Sequence, residues 1–374
     1  APPLLPTAEA TMTDPASLPI SAAPRTTMIG GGAYDEGARH QRTAVAMALP
    51  LLARAAERVP LPPDGAPFVF VDYGSATGFN TFAPAREVIS TLRRRSGARV
   101  PVCVVHNDQA DNDFAALFKV VAASPESYVL DAKVFPSAVG RSFYGSVVPA
   151  GSVSIGWSAN AVHWLSAAPH AVPGRLTLRR PDGGGDTSFA RRAHEDWTRF
   201  LTERAVELRP GGELVIVLVE ADEAGSSGAD HFLDVLTSVL MDAVGAGTLR
   251  REEVARMVVP LYFRTEREVC LPFATKELNR RLVLVEHEPA VLDDPLWAGF
   301  ERTGDTAAFA LAHVAWLRGY SENVLFSVLD ADRSPQQRSV IADSVYDEVR
   351  KRVEARPNDA RCSWRLGLLR IARR

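Results

Sequence analysis

The residues best placed to do chemistry lie in the run Val69-Phe70-Val71-Asp72-Tyr73-Gly74-Ser75-Ala76-Thr77-Gly78-Phe79-Asn80-Thr81. An apolar stretch ends in a carboxylate, and a turn with two glycines follows before a helical pattern opens. Glycines in such a turn let backbone N–H groups approach a ligand that a Cβ would push away, and the ligand sits outside the carboxyl end of the strand. The spacing is Gly74-x-x-x-Gly78, not the G-x-G-x-x-G that seats a dinucleotide pyrophosphate on a helix N-terminus. A shorter, looser turn suits S-adenosylmethionine, which brings no pyrophosphate. A second carboxylate, Asp108, closes the apolar run that starts at Val102, 36 residues after Asp72 (108 − 72). In adenosine-binding sheets an acid at the end of strand two receives the ribose hydroxyls, usually about 20 residues past the glycine turn. The helix and loop between must therefore be longer here. An acid in Asn107-Asp108 or Asn112-Asp113 also serves as a helix N-cap, and the sequence leaves both roles open.

Elements that would carry these residues follow from the apolar periods. A helix is expected from Tyr34 to Val59, with Ala44, Ala46, Met47, Leu49 and Leu52 on one face. Strands are expected at 68–72, 102–106, 152–157, 213–219 (after Pro210-Gly211-Gly212) and 282–285, and helices at 82–97 and through Trp197, Leu201 and Ala205 to Leu208. Alternating strands and helices predict an α/β fold with a doubly wound sheet, and the helical stretches 223–275 and 289–355 predict a cap. The expected organisation is a mobile tail at 1–27, a nucleotide-binding core at 28–222, a helical cap at 223–275 and 289–345, and a return to the core at 276–288 and 346–374.

With 374 residues the chain can bury a sizeable core. Hydrophobic residues at 46%, charged residues at 23% and a net charge of −3 predict neither nucleic acid nor an acidic membrane as a partner. Arg93-Arg94-Arg95 and Arg373-Arg374 read as solvated helix faces or ends. Cys103, Cys270 and Cys362 are odd in number and far apart, which offers neither a metal spacing nor a disulfide framework and points to a reducing cytosol. No run approaches the roughly 20 apolar residues of a membrane span, and no basic-then-apolar start predicts a secretory signal. G-x-S-x-G, H-E-x-x-H and Walker patterns are absent, so hydrolase, zinc and NTPase readings lack support.

Seven segments in order resemble one family. Met28-x-Gly30-Gly31 with Tyr34 and Gln41 resembles an M-N-G-G…Y-A-x-N-S-x-x-Q opening, and Asp72-x-Gly74-x-x-x-Gly78-x-Asn80-Thr81 resembles D-L-G-C-S-S-G-P-N-T. Asn107-Asp108-x-x-x-Asn112-Asp113-Phe114, Ser142-Phe143-Tyr144-Gly145 and His163-Trp164-Leu165-Ser166 resemble N-D-L-P-G-N-D-F, S-F-Y-G and H-W-L-S. Glu195-Asp196-Trp197 through Pro210-Gly211-Gly212, and Pro260-Leu261-Tyr262 through Glu268-Val269, complete the series. Together they resemble the SABATH methyltransferases, which methylate carboxylates or ring nitrogens of small molecules with S-adenosylmethionine on a Rossmann-like class I fold with a helical cap.

The resemblance implies roles by position. Tyr34, Gln41, Asp72, Gly74 and Asn80 would surround the methionine part of S-adenosylmethionine. Asp108 with Gln109 would hold the ribose, Ser142 with Phe143 would flank the adenine, and Ser158 would close the site near the sulfonium. Gln41 and Trp164 would donate hydrogen bonds to a substrate carboxylate, with Asn160, His163 and Tyr262 beside them. His163 is a candidate base for phenol or ring-nitrogen acceptors. Read without the resemblance, Trp164 is a core aromatic, Gln41 an exposed helix residue and His163 a satisfied buried histidine.

Departures from the pattern matter. Gly37-Ala38 replaces Asn-Ser, Asn160 replaces an aromatic, and Met257-Val258-Val259-Pro260 replaces the F-N-x-P that supplies a metal ligand, so no bound magnesium is expected. The reading is a methyltransferase forming the methyl ester of a small aromatic or indolic carboxylic acid, with a homodimer common among its relatives. The alternatives are methylation of a heterocycle nitrogen or phenol, or a non-catalytic member that binds small acids.

Overall fold

A computed structural model describes residues 28, 37–63, 65–172, 174–178, 187–229, 231 and 233–374. The expected tail at 1–27, the glycine pair Gly30-Gly31 and Tyr34 lie outside the described residues.

A helix α1 (Arg39–Arg58) leads into strand β1 (Phe68–Tyr73), helix α2 (Phe82–Ser96), β2 (Val102–Asp108), α3 (Phe114–Ala123), β3 (Val134–Gly140) and β4 (Val153–Ala159). The long helix α4 (Ser188–Glu207) runs directly into β5 (Leu208–Ala221). After α5 (Asp234–Gly245) and α6 (Arg251–Ala255) come the two-residue β6 (Arg264–Thr265), the short α7 (Glu266–Cys270) and α8 (Lys276–Asn279), and β7 (Leu282–Leu292). Helices α9 (Pro295–Thr303), α10 (Thr306–Phe326) and α11 (Pro335–Ala355) precede the last strand, β8 (Trp364–Arg373).

The sheet order is β3-β2-β1-β4-β5-β8-β7, with β6 on the end of β5. The first five strands are parallel, and β8 is antiparallel to both β5 and β7. Alternation along each central strand feeds two cores. Phe68 and Phe70 of β1 and Val215, Val217 and Val219 of β5 face α1, α2 and the cap, whereas Val71, Tyr73, Leu214, Ile216 and Leu218 face α4. Strand order reverses between β1 and β4, the place where such sheets open a crevice beyond their carboxyl ends.

Three strands escaped the sequence reading: β3, β8 and the two-residue β6, which lies in a stretch expected to be helical. β3 contains Pro136, which lacks an N–H; the residue is tolerated because β3 is the edge strand. β8 falls within a charged terminal stretch, yet most of its residues are buried between β5 and β7. Strand β5 begins at Leu208, earlier than expected, and between Val153 and Ile155 of β4 its register jumps from Leu208 to Glu213. Gly211 (φ +72°) and Gly212 absorb that irregularity, since a Cβ on Gly212 would meet the Val153 and Arg209 carbonyl oxygens at 2.9 Å. Strand β7 continues to Leu292, past 289, where the cap was expected to resume. No described helix is long and apolar enough to cross a membrane.

Candidate active site

The turn after β1 is built by backbone conformations that side chains resist. Gly74 (φ +93°) and Gly78 (φ +81°) are both left-handed, and a Cβ on Gly74 would lie 2.5 Å from the Ala161 Cβ. The N–H groups of Gly74 and Ser75 donate to the Asn107 carbonyl at 2.9 and 3.0 Å, tying the turn to the end of β2. Asp108 fixes it from the side: its Oδ2 accepts from Ala76 N–H at 2.7 Å and its Oδ1 from Gln109 N–H at 2.8 Å. Helix α3 is capped by Asp113, whose carboxylate accepts from Ala116 N–H at 2.9 Å, so Asp108 is free of the capping role.

Two adjoining cavities open beyond these strand ends. The first spans about 620 Å³ and is lined by Gly74, Ala76, Asp108, Gln109, Phe143, Tyr144, Ala159 and Ala161, among others. The second spans about 500 Å³ and is lined by Gln41, His163, Val219, Ala229, Leu261, Phe263, Trp316, Tyr320 and Trp364. Met28, Asn160 and Trp164 belong to both walls. Neither wall carries a lysine or arginine among the described residues.

Polar groups in the second cavity are few and buried. Gln41, on α1, has an Oε1 that accepts no hydrogen bond from a described residue, and neither carboxamide atom of Asn160 has a described partner. Asn160 holds φ at +55°, a left-handed position that asparagine tolerates better than most residues. His163 is buried; desolvation, and then the nearby Arg264 guanidinium, push its pKa down to about 3. Val219 N–H donates to its Nδ1 at 3.4 Å, which places the ring proton on Nε2. Trp164 is held by its backbone. Its N–H donates to the Ala161 carbonyl, the Tyr144 hydroxyl donates to its own carbonyl, and it bridges to Leu261.

The sequence expectations divide at this point. Gly74, Asp108, Gln109 and Phe143 come together in the first cavity, and Gln41, Asn160, His163 and Trp164 in the second. Tyr262 does not join them. It is buried among Leu165, Phe189, Ala193 and Val258 with its hydroxyl on Glu268 Oε1 at 2.8 Å, and Phe263 lines the cavity instead. Ser158 is fully buried and donates to the Tyr73 carbonyl at 2.8 Å, so it staples β4 to β1 and does not close the site.

Ser142 lies outside both walls, its Oγ accepting from Tyr144 N–H at 3.3 Å. Asn80 sits in the short turn Phe79–Thr81, also off the walls, with an Oδ1 that has no described donor. Asp72 is buried just behind the glycine turn; desolvation pushes its carboxyl up to about 7, against a hydrogen bond from Thr81. Trp316, whose aromatic character makes it a candidate pocket residue, lines the second cavity with Tyr320 and Trp364, two residues that sequence reading missed. Trp316 and Tyr320 lie on α10 of the cap and Trp364 begins the unforeseen β8, and only aromatic character marks them in the sequence. Gly37 explains one departure: a Cβ there would lie 2.8 Å from the Ala315 and Trp316 backbone, so glycine lets the start of the first helical segment seat against α10.

A family of S-adenosylmethionine-dependent carboxyl methyltransferases matches residues 25–276, the span that carries the glycine turn and most of both cavity walls. The chain belongs to the SABATH family of methyltransferases. Methyltransferase LUC1 of a Fusarium species is 32% identical over 250 residues, which cover 65% of each chain. Gibberellic acid methyltransferase 2 of Arabidopsis thaliana is 28% identical over 289 residues, covering 68% of this chain and 74% of that one. The chain thus spans about two thirds of the length of the curated relatives it matches. The solved structure of loganic acid methyltransferase with S-adenosylhomocysteine superposes with a TM-score of 0.75 at 20% identity, covering 93% of this chain and 98% of that one. The fold is therefore that of these SABATH enzymes, a Rossmann-like sheet with a helical cap.

Proposed function

We propose that the chain transfers the methyl group of S-adenosylmethionine to the carboxylate of a small, flat, apolar acid and releases the methyl ester. One observation carries the reading: the amide of Gln41 and the indole of Trp164 share an aromatic cavity without cationic side chains that adjoins the Gly74–Asp108 cavity. The first cavity suits the cofactor, because Asp108 offers acceptor lone pairs, Phe143 a ring face and Gly74 a close backbone approach. Relatives named for gibberellic acid and loganic acid support an acid as substrate.

When bound, S-adenosylmethionine supplies a methyl group on a positively charged sulfur. The protein's own work is orientation. A carboxylic acid with pKa near 4 is already ionised at neutral pH, so no base is needed. Gln41 N–H₂ and Trp164 N–H hold one face of the carboxylate without neutralising it, which keeps the attacking oxygen nucleophilic and in line. A lysine or arginine there would favour the ground state and blunt attack. His163, neutral with its proton on Nε2, would add a donor and not a base. Trp316, Tyr320, Trp364 and Phe263 shape the tail site for a flat hydrocarbon or aromatic ring. The substrate is a small molecule, and the enzyme works in the cytosol, as its three cysteines, odd in number and far apart, suggest.

The test is methyl transfer from labelled S-adenosylmethionine to a panel of aromatic, indolic and aliphatic acids. Wild type should yield base-labile ester, and Gln41→Ala and Trp164→Phe should each lose about 10²-fold in kcat/KM. Product on nitrogen or phenol oxygen, or cofactor binding without turnover of any acid, would defeat the carboxylate reading.

A further inference from the structure

Behind Asp72 runs a chain of hydrogen bonds that none of the roles above uses. Tyr128, almost fully buried in the short turn Tyr128–Leu130, places its hydroxyl 2.6 Å from His106 Nε2. His106, fully buried on β2, places Nδ1 3.4 Å from Thr81 Oγ1, and Thr81 Oγ1 donates to Asp72 Oδ2 at 2.5 Å.

The chemistry of the four groups dictates one direction. Ionised Asp72 only accepts, so it takes the Thr81 hydroxyl proton. Thr81 oxygen then accepts from His106, which puts the ring proton on Nδ1 and leaves Nε2 to accept from Tyr128. Burial enforces the same states: desolvation pushes His106 down to about 4, so it is neutral, and holds the Tyr128 phenol far above its ordinary range, so it stays a donor. Asp108 opposes the charge on Asp72 by repulsion, and ionised Asp72 in turn helps to hold the Tyr128 phenol protonated. On the other side of Asp72 in the sheet β4 pairs it with Trp157, which does not titrate.

We propose that Tyr128, His106 and Thr81 are positioning residues that keep Asp72 ionised and oriented for the cationic amino group of S-adenosylmethionine, so that three residues outside the cavity walls set cofactor affinity and its pH dependence. The proposal rests on the cofactor reading above and on the family resemblance, which implies Asp72 at the methionine end. Losing the Tyr128 hydroxyl frees the ring to take the other tautomer, in which Nδ1 competes with Asp72 for the Thr81 proton.

S-adenosylhomocysteine binding, measured by calorimetry between pH 5.5 and 8.5, tests this on the full chain. Thr81→Val should weaken binding about tenfold at pH 7, the size of one hydrogen bond to a charged group, and raise the pH of half-maximal affinity. Tyr128→Phe should act in the same direction by about threefold. The double variant should bind no worse than Thr81→Val, because Tyr128 reaches Asp72 only through Thr81. Thermal transitions close to wild type and unit stoichiometry exclude misfolding as the cause. Additive losses, or a Tyr128→Phe protein with wild-type affinity and midpoint beside an impaired Asp72→Asn, would overturn the relay. Unchanged binding in Asp72→Asn would instead overturn the placing of Asp72 at the cofactor, and the relay with it.

Discussion

Arg204 and Glu207, one turn apart at the end of α4, form a fully buried ion pair at 2.9 Å whose remaining hydrogen bonds reach the loop after Ser142 and the end of β1. Arg204 donates to the Phe143 carbonyl at 2.6 Å and the Gly145 carbonyl at 2.8 Å, and Glu207 Oε1 accepts from Val147 N–H at 2.5 Å. Glu207 Oε2 takes the Tyr73 hydroxyl at 2.7 Å, so the pair joins the end of β1 to the loop carrying Phe143. Breaking such a pair leaves a buried charge uncompensated. Arg204→Met and Glu207→Gln should each lower stability by about 3–5 kcal/mol in urea unfolding, with the double variant well short of their sum. Additive losses would mean that the two side chains act independently.

Gly74 carries both a left-handed φ and a contact that forbids a side chain. Gly304 is also left-handed, at φ +67°, but has open space around it. Gly304→Ala should therefore cost about 1 kcal/mol from backbone strain alone, and Gly74→Ala distinctly more, with weakened S-adenosylhomocysteine binding. Equal melting temperatures for the two variants would contradict the Ala161 contact as the deciding factor.

Asp72 also leaves a mark on folding. Its folded pKa, near 7, is raised above the ordinary carboxylate value. The folded state thus holds a proton that the unfolded chain releases, and the resulting stabilisation is complete below about pH 4 and lost as pH rises through 7. Asp72→Asn, which mimics the protonated form, should melt higher than wild type at pH 8 and alike at pH 4. A variant less stable at pH 8 would show that the carboxylate is held as a favourable charge even without ligand.

His163 offers a sharp test of base catalysis. With its pKa pushed down to about 3, it should contribute no inflection to the pH–rate profile of methyl transfer between pH 5 and 9. An inflection near 6.5 that vanishes in His163→Gln would restore its candidacy as a base for nitrogen or phenol acceptors.

Periodicity and motif order carried much of this molecule. The run ending in Asp72, its glycine turn and the strand ending in Asp108 were legible because a buried parallel strand and a left-handed turn each demand particular residue types. Family membership followed from short motifs in order. Gln41, His163 and Trp164 were found by resemblance, since nothing in their local sequence separates them from ordinary helix and core residues. What only the tertiary structure decided was direction and neighbourhood. Tyr262 and Phe263 are adjacent in sequence, yet one turns into the core and the other toward the cavity. Trp364 meets Trp316 because an antiparallel last strand returns beside β5, a pairing between residues remote in sequence that no local pattern records. The Tyr128–His106–Thr81–Asp72 chain likewise draws on separate elements, and its hydrogen bonds exist only once burial has removed water as a competing partner.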